Sequence, residues 1–283
     1  MIIIEPNSGT AKNLAFPAYA ASKETNQSFI KTLIEKSPKH AKLGLKEETE
    51  ALTTGTNAHS VVLEGVDPIT AFAPYDGVRR GSKWEAFKAE AKEAGKTPVT
   101  RKDFDATMAM SKSVPSDIQR IIRESKVELA VFFDMHNIDE GETLPCKALI
   151  DCLHPDAIYD YKTTSKGVDS RSFKSTVGKY FYDLQAAWYQ MAVESLTGVK
   201  KPFYWIVQES TAPYDVNVFR ASDELLSNGY SWLHYGVGKY MDCLRNDNFP
   251  GNYKGEAEEI DSPDWHTFEP ELLTENVTEV SEL

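Results

Sequence analysis

The stretch Cys-Lys-Ala-Leu-Ile-Asp-Cys-Leu-His-Pro-Asp-Ala-Ile-Tyr-Asp-Tyr-Lys-Thr-Thr, residues 146–164, has the pattern of two short strands joined by a turn. Residues 147–153 are extended in character, 154–157 have turn chemistry, and 158–163 are rich in β-branched and aromatic residues. A four-residue loop places Leu153 opposite Ile158 and Asp151 opposite Asp160. The hairpin therefore presents two carboxylates and the Lys162 ammonium on one face.

Carboxylates that face each other across a strand pair repel unless something compensates. A divalent cation turns this repulsion into binding, because Mg²⁺ prefers oxygen ligands. The adjacent lysine is suited to charge that develops on a phosphate during reaction. The alternative is a solvated hairpin with ordinary surface charges, and the hairpin residues alone leave these two interpretations balanced.

Length and composition indicate a globular protein. The chain has 283 residues, of which 41% are apolar and 11% aromatic, enough for one large domain or two small ones. Three cysteines without metal-finger spacing favour a reducing compartment. We find neither a signal peptide nor an apolar run long enough to cross a bilayer, so we expect a cytoplasmic protein without a membrane partner.

Negative charge is concentrated at the C-terminus. Residues 254–283 hold ten acidic residues and one lysine, which accounts for −9 of the net charge of −12 and leaves −3 for the rest. A body near neutrality is compatible with a basic nucleic-acid channel. The pattern predicts an N-terminal arm at 1–24, a folded domain at 25–253 and an acidic C-terminal tail at 254–283.

Two further residues are candidate metal ligands. His59 falls on the inner stripe of a helix predicted from about Glu47 to Glu64, with Gly55 one turn earlier to allow close backbone approach. Spacing alone favours an ordinary core histidine. Glu128 interrupts an apolar strand at 127–134, and it is either paired with a partner such as a metal or an edge-strand glutamate that points to water.

Other polar residues are candidates for DNA contact. Arg79, Arg80 and Lys83 form a basic cluster that either meets phosphates or is a solvated face. Gln185 and Tyr189 are neighbours on a helix predicted within 169–197, where they hold a backbone or a base, or are merely a helix flank. A polar loop is expected at 135–145, strands at 202–208 and 214–219, and a helix from Ser222 to about Leu244.

Taken in order, these motifs resemble the RecE-type 5′→3′ exonucleases (exodeoxyribonuclease VIII-like) of the PD-(D/E)XK nuclease superfamily. The resemblance covers roughly residues 25–266, and Ile150 stands where the superfamily name has proline. The motifs that carry it are Ser37-Pro38-x-His40, Gly55-Thr56-x-Ala58-His59-x-x-x-Leu63-Glu64, the helical block from Arg80 to Val114, Glu128, Lys147-Ala148-x-x-Asp151, Asp160-Tyr161-Lys162-Thr163-Thr164, Gln185-Ala186-Ala187-Trp188-Tyr189 and Ser262-Pro263-Asp264-Trp265.

The resemblance implies an α/β fold with a restriction-endonuclease-like core, a mixed central β-sheet flanked by helices. It implies that Asp151, Asp160 and the carbonyl of Tyr161 bind Mg²⁺ or Mn²⁺, and that Glu128 and His59 complete the site or hold a second ion. Lys162 then orients the attacking water or stabilises the transition state. By the same likeness, Gln185 and Tyr189 position the helix and the DNA strand beside the site.

The implied activity is stepwise release of 5′-phosphorylated nucleotides from double-stranded DNA ends, which leaves a 3′ overhang for recombination. Such enzymes form ring-shaped homo-oligomers around DNA, work with a RecT-like single-strand annealing protein, and are frequently phage-encoded in bacterial cells.

Two alternatives remain open at this point. One is a RecB- or Cas4-like nuclease of the same fold that acts on single strands, although three scattered cysteines cannot supply the four of a Cas4-like iron–sulfur cluster. The other is a non-catalytic DNA-binding or assembly module. Inactive relatives usually lose a metal carboxylate or the lysine, and this sequence keeps them all.

Overall fold

The computed structural model of the protein describes residues 2–4, 8–44, 50–137 and 140–262. The strands are β1 Ile2–Ile4, β2 Thr10–Lys12, β3 Phe72–Tyr75, β4 Thr97–Thr100, β5 Lys126–Asn137, β6 Glu142–Leu153, β7 Ile158–Thr164, β8 Phe203–Glu209 and β9 Val216–Arg220. The helices are α1 Phe16–Ala21, α2 Gln27–Glu35, α3 Pro38–Leu43, α4 Glu50–Val62, α5 Pro68–Ala71, α6 Gly81–Glu93, α7 Arg101–Ser113, α8 Ser116–Glu124, α9 Ser170–Tyr180, α10 Tyr182–Thr197 and α11 Asp223–Arg245.

The predicted α/β architecture is confirmed, since a mixed sheet lies between helices. Within the described ranges, the sheet has seven strands in the order β1-β5-β6-β7-β8-β9, with β2 also paired to β5. β7 and β8 are its parallel neighbours, and the other pairs are antiparallel. The chain passes from β7 to β8 through α9 and α10, because parallel neighbours need a long crossover connection.

The predicted hairpin register is confirmed, because Leu153 pairs with Ile158. The loop predicted at 135–145 is wrong, since β5 runs on to Asn137 and β6 begins at Glu142. Met135 and Leu144 are paired and buried there. The polar residues between them in sequence conceal the period-two pattern of both strands.

The sheet separates two cores of unequal size. The larger core lies on the side of α2, α10 and α11, and it includes Trp188 and Trp205. The smaller core lies on the side of α4, α7 and α8, and it includes Met110 and Tyr161. β3 and β4 form a separate parallel pair, and β4 lies within the block from Arg80 to Val114 that the sequence indicated as helical. The pair forms because Phe72 and Val99 bury their side chains with Val61 of α4.

The segment predicted as an N-terminal arm lies against the body. Strands β1 and β2 both pair with β5, and Gly9 N–H donates to the carbonyl of Ser195 on α10. α1 is held by the buried Lys147, whose Nζ donates to the carbonyls of Tyr19 (2.8 Å) and Ser22 (2.7 Å).

The acidic tail predicted at 254–283 is described only as far as Ser262, and residues 254–262 are exposed. Most of the Ser262-Pro263-Asp264-Trp265 motif therefore lies outside the described residues. In the part of the chain that the structure covers, no helix has the length and apolarity needed to cross a bilayer.

Candidate active site

The site forms where β5 and β6 change the face to which they present their side chains. Along β5, Leu129 packs against the larger core, whereas Val127 packs against the smaller one. In a regular strand, residues two apart share a face. The switch falls at Glu128, and β6 makes the same switch at Asp151, which lies opposite Glu128 in the register.

Glu128 has a left-handed backbone conformation, with a φ of 52°. This conformation costs a residue with a Cβ roughly 1–2 kcal/mol, and such strain concentrates at functional sites. The Glu128 carboxylate lies against His59, with 3.4 Å between Oε1 and Nδ1. The local strain therefore accompanies a specific contact between two candidate ligands.

His59 reaches the sheet from α4. Its Nε2 lies 3.1 Å from Oδ2 of Asp151, so the imidazole bridges Asp151 and Glu128. The close approach of α4 to β7 depends on Gly55, because a Cβ at that position would lie 3.1 Å from Oγ1 of Thr163. This is the close contact that the glycine in the helical stripe predicted.

His59, Glu128 and Asp151 form a group that we call the carboxylate–histidine cluster. One ligand atom from each lies within 4.8 Å of the others, close enough to share a metal ion. The backbone N–H of Tyr161 donates to Asp151 Oδ2 at 2.9 Å, which holds the carboxylate where β6 and β7 diverge. Side chains of α4, β5 and β6 thus supply one potential coordination site.

The charges of the cluster shift its pKa values strongly. Burial lowers the pKa of His59, but the carboxylates of Asp151 and Glu128 outweigh it and raise this pKa to about 9. Burial raises the pKa of Glu128 to about 7, against the effect of His59. Burial also acts to raise the pKa of Asp151, but His59 and Lys162 keep it below its ordinary value. The cluster therefore favours positive charge between its carboxylates.

Asp160 and Lys162 form the second part of the site. Asp160 is completely buried, and its Oδ1 accepts a hydrogen bond from Nε2 of Gln185 at 3.0 Å. Its Oδ2 lies 2.6 Å from Nζ of Lys162. Burial raises the pKa of Asp160 to about 7, although Lys162 opposes the change. Burial lowers the pKa of Lys162, but Asp160 outweighs it, so this pKa lies above its ordinary value.

The structure divides the predicted metal ligands into two groups. Asp160 lies outside the carboxylate–histidine cluster, and its oxygens already face Gln185 and Lys162. The Tyr161 side chain lies on the other side, where its hydroxyl donates to Gln208 at 2.6 Å. Metal coordination by Asp160 and by the Tyr161 carbonyl stays a prediction.

The residues present suit a hard divalent cation. Among the described residues, Oε1 of Glu128 and Oδ2 of Asp160 are buried carboxylate oxygens that face positively charged groups, His59 at 3.4 Å and Lys162 at 2.6 Å. Buried carboxylate oxygens are costly unless they are paired or coordinate a metal. Carboxylate oxygen and imidazole nitrogen are ligands for Mg²⁺, Mn²⁺ and similar ions, so the donor set fits the predicted metal.

The residues predicted to contact DNA fall into two groups. Gln185 and Tyr189 are buried, and Gln185 Nε2 contacts Tyr189 Oη at 3.2 Å, so they support Asp160 from within the protein. Arg79 forms an ion pair with Asp103 at 2.9 Å. Arg80 and Lys83 are exposed, and their contact with DNA stays a prediction.

The sequence reasoning missed a cleft of about 330 Å³ beside Lys162, lined in part by Lys31, Tyr180 and Tyr182. Its signal in the sequence was the Tyr-Phe-Tyr run at 180–182. A larger, open depression of about 810 Å³ contains none of the predicted site residues. The cleft is therefore the cavity that bears on the site.

Comparison with known proteins agrees with this architecture. A crystal structure described as that of a "Putative exonuclease" from Eubacterium rectale is similar to this chain with a TM-score of 0.56 and 16% identity, and the match covers 89% of this chain and 96% of that one. At this identity the likeness shows the fold. The crystal structure of SSO0001 matches 80% of this chain and 88% of its own at 12% identity, with a TM-score of 0.28, too low to carry an argument.

No curated protein matches the chain. The family model described as "PDDEXK-like domain of unknown function (DUF3799)" matches residues 10–263. This range contains the carboxylate–histidine cluster, Asp160, Lys162 and Gln185, and it confirms the superfamily that the sequence motifs predicted. The chain therefore belongs to the PDDEXK-like DUF3799 family.

Proposed function

We propose that this protein is a metal-dependent nuclease that degrades one strand of linear double-stranded DNA in the 5′→3′ direction. The observation that carries the proposal is the carboxylate–histidine cluster beside the Asp160–Lys162 pair, where β6 and β7 diverge. Nuclease chemistry needs a site for a cation and an ammonium close to it, and side chains of the sheet and of α4 supply both.

His59, Glu128 and Asp151 would hold the cation, with Asp160 as a further ligand. When bound, the cation supplies Lewis-acid stabilisation of the scissile phosphate and lowers the pKa of water. Lys162 stabilises negative charge on the phosphate with its ammonium, which the neighbouring Asp160 keeps protonated. Gln185 fixes the orientation of Asp160 through its amide.

Hydrolysis adds water across a P–O3′ bond and gives a 5′-phosphorylated nucleotide and a free 3′-hydroxyl. Repeated from a 5′ end, it leaves a 3′ overhang that a RecT-like single-strand annealing protein can use in recombination. A ring-shaped homo-oligomer around DNA, which the resemblance to RecE-type enzymes implies, accounts for repeated cutting without release. We propose that the protein acts in the bacterial cytoplasm and that a phage can encode it.

The test is digestion of linear duplex DNA labelled separately at its 5′ and 3′ ends, with nicked circular DNA as the control. With Mg²⁺ or Mn²⁺, we expect the protein to release the 5′ label as mononucleotides and to leave the circle intact. EDTA should stop the reaction. Release of the 3′ label first would reverse the polarity. Tight DNA binding without cleavage under either ion would instead favour the non-catalytic assembly module.

A further inference from the structure

The cleft beside Lys162 has two walls of different chemistry. One wall is α2 and the residue after it, which contribute Lys31 and Lys36. The other wall contains Tyr180 and Tyr182, from the junction of α9 and α10. Lys162 also lines the cleft, which is therefore continuous with the candidate active site.

The junction of α9 and α10 sets the direction of three aromatic rings. Phe181 has a left-handed conformation with a φ of 55°, and its ring packs against Trp232 of α11 with centroids 5.3 Å apart. Tyr180 and Tyr182 line the cleft instead, and their rings stack with centroids 5.8 Å apart and planes 28° apart. Tyr180 is 39% exposed, so the stack reaches the surface.

Lysine side chains surround these two rings. Nζ of Lys31 lies 5.4 Å from the ring centroid of Tyr180, and Nζ of Lys179 lies 5.3 Å from the same centroid. Nζ of Lys162 lies 4.9 Å from the ring centroid of Tyr182. Cations at these distances interact with aromatic rings, so positive charge lies beside both rings.

The balance of charge in the cleft favours an anion. Among the described residues that line it, Glu35 is the one carboxylate, against the ammonium groups of Lys31, Lys36 and Lys162, of which Lys162 is also paired with Asp160 behind the cleft wall. Burial and the ammonium of Lys162 lower the pKa of Lys31, although Glu35 opposes them. Positive groups held this close to one another are stabilised when a phosphate lies between them.

We propose that this cleft binds the unpaired end of one DNA strand, with a base on Tyr180 and a phosphate on Lys31. The inference rests on the proposed nuclease function and names the state in which its substrate enters. Aromatic rings beside a positively charged groove are the recurring means of binding single strands. A volume of about 330 Å³ is at the small end for ligand sites, which suits about one nucleotide and excludes a duplex.

It follows that a duplex end must separate before its scissile phosphate reaches Lys162. A base of the strand that enters the cleft stacks on Tyr180 instead of pairing with its complement, and this stacking offsets part of the lost base pairing. The cleft then selects single-stranded ends by stacking, without reading sequence, because every base offers a flat face.

The experiment measures binding of a fluorescent oligothymidine to the full chain in EDTA, so that no cleavage occurs. We expect Tyr180→Ala to weaken binding at least about fivefold, and Tyr180→Phe to bind within about twofold of the unchanged protein, because phenylalanine keeps the stacking face. Lys31→Met should reduce the slope of log K against log salt by about 0.7, as expected for one phosphate contact on a single strand.

Tyr235→Ala is the matched control. Tyr235 is an exposed tyrosine with Lys239 Nζ 5.8 Å from its ring centroid, but it does not line the cleft. Oligothymidine binding unchanged by both Tyr180→Ala and Lys31→Met would overturn the inference, as would an equal loss in Tyr235→Ala. Circular dichroism of each variant verifies that the fold is retained.

The two proposals fail separately. If the unchanged protein binds oligothymidine in this way but cuts no DNA with Mg²⁺ or Mn²⁺, the strand-binding cleft stands and the nuclease function falls. If it cuts DNA while the cleft variants bind normally, the nuclease function stands and this inference falls.

Discussion

Two lysines fifteen residues apart, Lys147 on β6 and Lys162 on β7, have different surroundings. Lys147 donates to the neutral carbonyls of Tyr19 and Ser22 and to the Ser22 hydroxyl, and it fastens α1 to the sheet. Lys162 contacts the charged Asp160 and lines an open cleft. Lys147 is buried, whereas 18% of the Lys162 side chain is exposed, and the partners of the two lysines differ.

This difference separates a structural lysine from a functional one. Among the described residues, the Lys147 ammonium donates to two carbonyls and a hydroxyl at the end of α1, so this lysine joins a helix to the sheet. The Lys162 ammonium faces a carboxylate whose pKa burial raises to about 7, and a phosphate can take the place of that carboxylate. Groups with strongly shifted pKa values that border a cleft are candidates for function, whereas buried lysines as such are not.

The largest effect should come from Lys162→Ala. We expect DNA cleavage to fall by about 10²- to 10³-fold, the usual consequence of removing one group that stabilises transition-state charge. Circular dichroism should stay unchanged. Initial rates on end-labelled duplex DNA measure the effect, and Lys166→Ala, at an exposed lysine in the following loop, is the control. Cleavage retained at more than about a tenth of the original rate would remove Lys162 from the mechanism.

A second prediction concerns the metal, whose binding should depend on the carboxylate–histidine cluster. Glu128→Gln keeps the shape of a cluster side chain but removes its charge, so Mn²⁺ affinity should fall by about 10- to 100-fold in calorimetry. Glu124→Gln is the matched control, because Glu124 also faces a histidine, with 3.5 Å between its Oε2 and Nε2 of His154, outside the cluster. Equal losses in the two variants would contradict a metal site at the cluster.

The third prediction tests the structural lysine. Lys147→Met retains the aliphatic stem and removes the donors, which leaves the carbonyls of Tyr19 and Ser22 without this partner. We expect the free energy of unfolding in urea to fall by about 1–2 kcal/mol, with the rate of cleavage per folded molecule unchanged. If Lys147→Met abolished cleavage in a protein of normal stability, the contrast between the two lysines would be lost.

The smallest effect is expected at exposed basic residues. The double variant Arg80→Ala with Lys83→Ala should reduce the salt slope of duplex binding by about 2, if each residue meets one phosphate. Arg79→Ala should act mainly on the melting temperature, because Asp103 loses its ion-pair partner. An unchanged salt slope in the double variant would show that this surface does not meet DNA.

Much of the site could be predicted because Asp151, Asp160 and Lys162 lie close together in the sequence. Turn chemistry at 154–157 and period-two alternation determined the register of β6 and β7, and hence that Asp151 and Asp160 would lie near each other. Gapped motifs then gave the superfamily, and the family match at 10–263 agrees. Other features were hidden, such as the extension of β5 and β6 through 135–145, where polar residues mask the alternation.

What the sequence determined by itself was the set of chemical groups: carboxylates, a histidine and a lysine at spacings that suit phosphate chemistry. Only the tertiary structure decided which of them meet. The change of face at Glu128 and the approach of α4 through Gly55 bring His59 between two carboxylates, while Gln185 and Lys162 hold Asp160 apart. The physical reason is that periodicity specifies a side chain's face only within a regular element, whereas contacts between elements depend on packing across the sheet.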